Sequence, residues 1–314
     1  MSQSISIIVP VSRAITTVKQ ILFTPFDMAK WLGLGFTAWL AMLSSGSPTL
    51  NFGNFWNKES DNEPLLAAWN WILAHLALVI SVAACAGLVI VAISLVIAWV
   101  SSRGKFMFLD NVIHNRSDIA KPWERYRMQG NSYFLFSICL GLASLAVFCT
   151  MLLVCALIAM PDITRNHFGA NAASAIILGL LMFLVYGISL SGVMTFLEDF
   201  IIPIMALRSC RALTAWSIFF DLFKANTGVF ILYFLFKILL GWAVGAISLL
   251  LCCFLCCVMW IPYISTVILL PLFVFLRCYS IHFLEQFGDS YRLFYQQASD
   301  DYISVTRESP STPG

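Results

Sequence analysis

The stretch LLAAWNWILAHLALVISVAACAGLVIVAISLVIAWV, residues 65–100, decides the fold class, because none of its 36 residues is charged. A helix needs roughly 20 apolar residues to cross a bilayer core about 30 Å thick. A segment in lipid must satisfy its own backbone hydrogen bonds, so we predict a helix here rather than a strand. We place one long, tilted membrane span at residues 71–100.

The composition of the whole chain indicates the same class of protein. Of its 314 residues, 60% are hydrophobic and 11% are charged, and the mean hydropathy is +0.87. Soluble domains carry about 25% charged residues, so an ordinary soluble domain is excluded. A disordered chain is excluded by the same high hydrophobicity. The net charge of +2 gives no reason to expect a nucleic acid as partner.

Five further stretches are apolar enough to be spans, which predicts an all-α, polytopic transmembrane helix bundle of six spans. The predicted spans cover residues 28–44, 71–100, 132–160, 172–197, 229–259 and 263–284. With their connections they form a single integral membrane domain at 1–297. The polar residues 298–314 are predicted to be a disordered cytoplasmic tail.

The distribution of Lys and Arg predicts how the bundle is oriented. With six spans, 15 of the 18 basic residues fall on the side that holds both termini. Lys58 and Arg165 fall on the other side, and Lys237 lies within the fifth span. Because cytoplasmic loops are enriched in Lys and Arg, we place both termini in the cytoplasm and the protein in a plasma (inner) membrane.

Three stretches on the cytoplasmic side carry an apolar stripe and predict amphipathic helices in the headgroup plane. Their apolar residues are Ile15, Val18, Ile21 and Leu22, then Phe106, Leu109 and Ile113, then Ile201, Ile204, Met205 and Leu207. Each stretch precedes a span, which gives two-element units at 13–44, 104–160 and 200–259. A true repeat and shared interface physics both account for this order, and the sequence leaves the choice open.

Three segments carry a family resemblance: ITTVKQILFTPFDMAKWLGLGF at 15–36, FMFLD at 106–110 and FIIPIM at 200–205. With them, the chain resembles an uncharacterised family of six-span integral membrane proteins of archaea and bacteria, for which the resemblance implies no known function. The broader pattern is distantly similar to the membrane domain of some glycerophosphodiester phosphodiesterases. Their soluble, metal-dependent catalytic barrel has no counterpart in this sequence.

Ionisable residues near the spans are the candidate site residues, because a charge inside a membrane is costly. Glu198 and Asp199 lie where the fourth span meets the cytoplasm. Three roles are open to them: a structural ion pair with a nearby arginine, a proton or cation site, or catalysis; the arginines considered are Arg103, Arg208 and Arg211. Lys237, eight residues inside the fifth span, either snorkels, pairs with a neighbouring helix or contacts an anionic substrate.

Cysteines, histidines and glycines offer weaker candidates. The cysteines Cys252, Cys253, Cys256 and Cys257 have spacings that zinc sites and redox pairs also use, but they lie in an apolar span without a nearby His. We interpret them as small packing residues. The four histidines are too scattered to share a metal ion. Gly241 and Gly245 form a Gly-x-x-x-Gly pattern, which predicts a close helix contact.

The sequence contains no catalytic, cofactor or metal-binding motif that we recognise, so we predict a protein that is not an enzyme and has no cofactor. A structural, accessory or assembly role is favoured. The expected partners are the lipid bilayer and either another membrane protein or a second copy of the chain. The alternative is a small-molecule or lipid transporter that uses Lys237 together with Glu198 and Asp199.

Overall fold

The structure is a computed structural model that describes residues 5–24, 26–44, 75–164, 169–254 and 262–294. Within these ranges the chain is helical and contains no strand. The helices are α1 (Val9–Phe23), α2 (Met28–Met42), α3 (Leu76–Ile113), α4 (Ala120–Arg125), α5 (Arg127–Thr164), α6 (Ala170–Phe196), α7 (Ile202–Arg208), α8 (Ala212–Ala225), α9 (Thr227–Phe254), α10 (Pro262–Ile268) and α11 (Leu270–Leu284). A π-helical turn, Leu197–Ile201, joins α6 to α7, and the 3-10 turns Glu285–Phe287 and Asp289–Tyr291 follow α11.

Prolines and one aspartate mark where several helices begin. Pro203 and Pro271 lie in the first turns of α7 and α11, the helix position that proline favours. The side chain of Asp27 caps α2 by accepting a hydrogen bond from the N–H of Ala29 at 2.9 Å. The predicted sixth span is therefore divided at Leu269, and the predicted first span becomes a helix of 15 residues.

Four helices in the described ranges are long and apolar enough to cross a membrane, and they coincide with four of the six predicted spans. These helices are α3, α5, α6 with its continuation into α7, and α9. The described part of α3 begins at Leu76, since Trp71 lies outside the described residues. It then runs without a break to Ile113, well beyond the predicted end of that span at Val100.

The long helices divide into exposed and buried parts. We call the mostly exposed apolar parts the four arms: residues 76–100 of α3, 138–160 of α5, 170–196 of α6 and 234–253 of α9. The remaining buried core is the base, which the other ends of these helices build together with α1, α2, α7, α8, α10 and α11. The arms of α5 and α6 pair through the hydroxyl groups of Ser144 and Tyr186, whose oxygens are 2.5 Å apart.

Two of the three predicted interfacial stripes lie inside the base rather than in a headgroup plane. A helix in that plane keeps one face wet, yet every residue of the segment 101–113 is buried, including Phe106, Leu109 and Ile113. The segment 201–205 is buried as well. Burial on all sides explains why each segment continues a long helix instead of starting a separate amphipathic one. In α1 the buried face contains Val18, Ile21 and Leu22, whereas Ile15 is exposed.

The predicted first and sixth spans pack into the base, level with the buried end of α3 and not beside the arms. The hydroxyl groups of Ser44 and Ser101 are 2.9 Å apart, and a Cβ on Gly104 would lie 2.7 Å from the backbone of Leu40. Gly35 of α2 in turn lies against Val267 of α10. The described parts of residues 28–44 and 263–284 therefore do not show two further crossings.

The first and the last described helices meet in the base. Helix α1 packs along α11. Ser6 and Gln286 exchange two hydrogen bonds of 2.8 Å between backbone and side-chain groups. Thr17 Oγ1 lies 2.9 Å from Nε2 of His282, whose Nδ1 is 2.9 Å from a carboxylate oxygen of Glu285. The described ends of the chain thus lie on the same side of the arms.

Candidate functional site

The π-helical turn at Leu197–Ile201 positions the two predicted carboxylates. Its hydrogen bond runs from the N–H of Ile202 to the carbonyl of Leu197, one residue farther than in an α-helix. Pro203 accounts for the change, because its ring has no N–H and would collide with the carbonyl four residues earlier in a regular helix. Successive residues of a helical turn point to different sides of the helix axis. Glu198 and Asp199 therefore face different neighbouring helices.

Each carboxylate of the turn binds a lysine from a different long helix. Nζ of Lys105, on α3, donates to Glu198 Oε1 at 2.6 Å. Nζ of Lys237, on α9, lies 2.9 Å from Asp199 Oδ2. Arg277 of α11 donates to the backbone carbonyl of Glu198 at 2.6 Å. These five residues, which we call the charged cluster, connect four elements at the boundary between arms and base.

Tyrosine hydroxyl groups surround the charged cluster. Tyr233 donates to Asp199 at 2.9 Å, and Lys105 donates to the hydroxyl of Tyr133 at 3.1 Å. The ring of Tyr279 stacks on Tyr233 with centroids 5.5 Å apart, and its buried hydroxyl finds no partner in the described part of the chain. Most polar groups of the charged cluster therefore have a hydrogen-bond partner. Glu198 is the open side of the cluster, because 42% of its side-chain surface is exposed.

The structure brings together the three residues that we singled out for transport or ion pairing. Lys237 pairs with Asp199 of the π-helical turn, in agreement with the hypothesis that it pairs with a neighbouring helix, although Asp199 was not considered as its partner. The predicted arginine partners were wrong, because Lys105 and Lys237 take the places considered for Arg103, Arg208 and Arg211. Sequence reasoning missed Lys105 and Arg277. The position of Lys105, shortly after the apolar stretch of α3, could have marked it as a candidate. No sequence pattern relates Arg277 to Glu198.

A second polar network lies at the buried end of α3 and was also missed. Asp110 is fully buried and accepts hydrogen bonds from Arg116 at 2.7 Å and from Tyr126 at 3.1 Å. His114 Nδ1 lies 3.3 Å from the same carboxylate. The hydrogen bond with Asp110 raises the pKa of His114, and burial raises the pKa of Tyr126. These contacts hold the segment between α3 and α4 against the end of α3, so we assign the network a structural role.

The remaining sequence candidates are not drawn into a site. A Cβ added to Gly241 or Gly245 would meet no described atom within 4 Å, so the predicted helix contact is not made by this part of the chain. Cys252 and Cys253 are exposed at the end of α9, while Cys256 and Cys257 lie outside the described residues. In the ranges that the structure describes, no group of three His, Cys, Asp or Glu side chains could hold a metal ion.

Comparison with protein families assigns the chain to a family. The sequence profile of DUF7544, a family of unknown function, matches residues 5–284. The chain belongs to this family. The DUF7544 match covers nearly the whole chain, from the segment before α1 to the end of α11. No curated protein and no solved structure matches the chain. The similarity to the membrane domain of glycerophosphodiester phosphodiesterases stays a prediction.

Proposed function

We propose that this member of DUF7544 is a non-enzymatic accessory or assembly protein of the plasma (inner) membrane, which pairs through the arm of α3 with a helix of another membrane protein. The observation that carries the proposal is the exposure of this arm. Of residues 76–97, all except Val79 and Gly87 are exposed. Consecutive residues point in all directions around a helix, so the other described elements leave every face of the arm uncovered.

The sequence of the α3 arm suits a helix partner. Ala83 and Gly87 are four residues apart and lie on one face, and three further small residues fill the interval. Small residues let two helix backbones approach closely in a membrane, where van der Waals packing drives association. A Cβ added to Gly87 would meet no described atom within 4 Å, so this face is open to a partner helix.

Six crossings with both termini in the cytoplasm agree with the arrangement of the described helices. Ser44 lies beside Ser101 at the base, whereas α3 begins at Leu76, 25 residues along the helix from Ser101. At 1.5 Å per residue, these two points lie about 37 Å apart along α3. The described ends of the chain meet on one side of the arms, at Ser6 and Gln286, which supports an even number of crossings such as six.

Photocrosslinking in the native membrane tests the proposed pairing. A photoreactive amino acid at Ile90, near the Ala83–Gly87 face, should form a discrete protein adduct that Gly87→Leu abolishes. The matched control is Leu88, which is exposed on a different side of the same helix. It should give lipid adducts. An adduct of about twice 35.1 kDa would identify a second copy as the partner. Lipid adducts alone from both positions would contradict the proposal.

The alternative is a small-molecule or lipid transporter, and the π-helical turn favours it, because such turns are frequent at functional sites. The turn holds Glu198 and Asp199 in contact with Lys105 and Lys237 at the boundary between the arms and the base. In reconstituted vesicles, a transporter of lipids should expose a fluorescent phosphatidylethanolamine of the inner leaflet to an external quencher. Glu198→Gln, checked for correct folding, should slow this exposure at least tenfold. Wild-type vesicles that perform no better than protein-free vesicles would exclude lipid flipping.

A further inference from the structure

Arg103 is held in an unusual aromatic site where the arm of α3 enters the base. Its guanidinium carbon lies 4.3 Å from the ring centroid of Trp99 and 4.8 Å from that of Trp123, which belongs to α4. Asn131 of α5 accepts hydrogen bonds from Arg103 Nη2 at 3.0 Å and from the indole N–H of Trp99 at 3.1 Å. Three helices thereby fix the position of one guanidinium group.

The positive charge of this site is not neutralised by the described chain. None of the described carboxylates forms an ion pair with Arg103 or with Arg127, the exposed first residue of α5. Arg127 lies four residues before Asn131 on α5, so the two side chains share one face of that helix, and the charge of Arg127 adds to the positive potential near Arg103. Arg103 is only 6% exposed, and its Nε–H has no hydrogen-bond partner among the described residues. A buried donor without a partner costs about 1–3 kcal/mol, so the site favours an additional acceptor.

The neighbouring surface of α3 is apolar on the side of the arm. Val96, Trp99 and Arg103 follow one another at helical spacing and share one face. Val96 is 60% exposed, and Trp99 is half-buried between it and the guanidinium. A molecule with an anionic head and a hydrocarbon chain would place its head at Arg103 and its chain along Val96. Tryptophan is enriched at this level of membrane proteins, where headgroups meet the acyl region.

We propose that Arg103 and Arg127 bind the phosphate group of an anionic membrane lipid, with Trp99, Trp123 and Asn131 as positioning residues. A guanidinium group matches a phosphate because its N–H donors can bind two oxygens side by side. The two tryptophan rings hold the plane of Arg103, and Asn131 occupies only one of its donors. The lipid site does not depend on the proposed accessory role, because it concerns a different part of α3.

Lipid binding to the purified full chain in detergent tests this inference, with native mass spectrometry as the readout. Wild-type protein should bind phosphatidylglycerol at least tenfold more tightly than phosphatidylcholine. Arg127→Gln removes an exposed side chain and should weaken phosphatidylglycerol binding by about tenfold, which corresponds to the loss of one charged contact. Arg103→Lys keeps the charge but loses the planar guanidinium group with its paired N–H donors, and should weaken phosphatidylglycerol binding to a similar extent.

The matched control is Lys121→Gln, which removes one positive charge from α4, where Lys121 is highly exposed. It should leave phosphatidylglycerol binding unchanged. Inorganic phosphate added as a competitor distinguishes the two sources of a phosphate group: displacement of the lipid at equal concentration would assign the site to free phosphate and overturn a lipid site. Equal binding of phosphatidylglycerol by the wild type and by correctly folded Arg127→Gln and Arg103→Lys would overturn the inference altogether.

Discussion

Replacing Lys237 with Ala should lower the free energy of unfolding by about 3–5 kcal/mol, the usual effect of removing one partner from a buried ion pair. The variant leaves Asp199, whose side chain is 9% exposed, with the hydroxyl of Tyr233 as its remaining described partner. A buried carboxylate without a counter-charge is unfavourable because water no longer solvates it. The loss should appear as a lower midpoint in denaturant-induced unfolding of the protein in mixed micelles.

The control for this prediction separates the buried pair from a general effect of charge. Lys224→Ala removes an exposed lysine at the end of α8 and should change stability by no more than about 0.5 kcal/mol. Lys237→Met combined with Asp199→Leu removes both charges at once and should be more stable than Lys237→Ala, because neither partner is left alone. If Lys237→Ala and Lys224→Ala had equal effects, the described ion pair would not contribute to stability.

The second large effect is expected at Gly104, where α3 crosses α2. Gly104→Ala should lower the free energy of unfolding by about 2 kcal/mol, in spite of the better helix propensity of Ala. The added Cβ would lie 2.7 Å from the carbonyl carbon of Leu40 and 2.8 Å from the backbone nitrogen of Ala41. Backbone atoms cannot rotate away like the end of a flexible side chain, so the two helices must separate.

Gly241→Ala is the matched control, because it makes the same substitution within a long helix at a position without described neighbours. It should leave stability unchanged or raise it by up to about 1 kcal/mol. Thermal unfolding of both variants in the same detergent is the measurement. A stability loss at Gly241 that equals or exceeds that at Gly104 would mean that the close helix contact lies at the Gly-x-x-x-Gly pattern after all.

The sequence predicted the long helices well, because hydropathy over some 20 residues is a local property. It predicted the other elements less well, because burial depends on contacts between distant segments. Phe106, Leu109 and Ile113 have the spacing of an amphipathic stripe, but α2 and its neighbours also cover the remaining faces of this segment. The Gly-x-x-x-Gly pattern is equally ambiguous, since it shows where two helices could approach and gives no information about which helix is nearby.

The candidate site was predictable in part. Glu198, Asp199 and Lys237 attract notice because each charge lies next to or within an apolar segment. That Lys237 pairs with a neighbouring helix was one of several hypotheses, but its partner was not predicted, since Asp199 and Lys237 meet only when α9 packs beside the π-helical turn. Arg277 and Lys105 are separated from Glu198 by about 80 and 90 residues, and no sequence pattern relates them.

The packing of α1 against α11 has a consequence for biogenesis. Helix α1 leaves the ribosome well before α11, and Ser6 meets Gln286 only after 280 further residues have been made. The apolar side chains Val18, Ile21 and Leu22 must therefore wait without their final neighbour while the hydrophobic helices are being inserted. During this interval the nascent protein exposes an apolar surface, which a chaperone or the bilayer surface itself must shield until α11 has been synthesised.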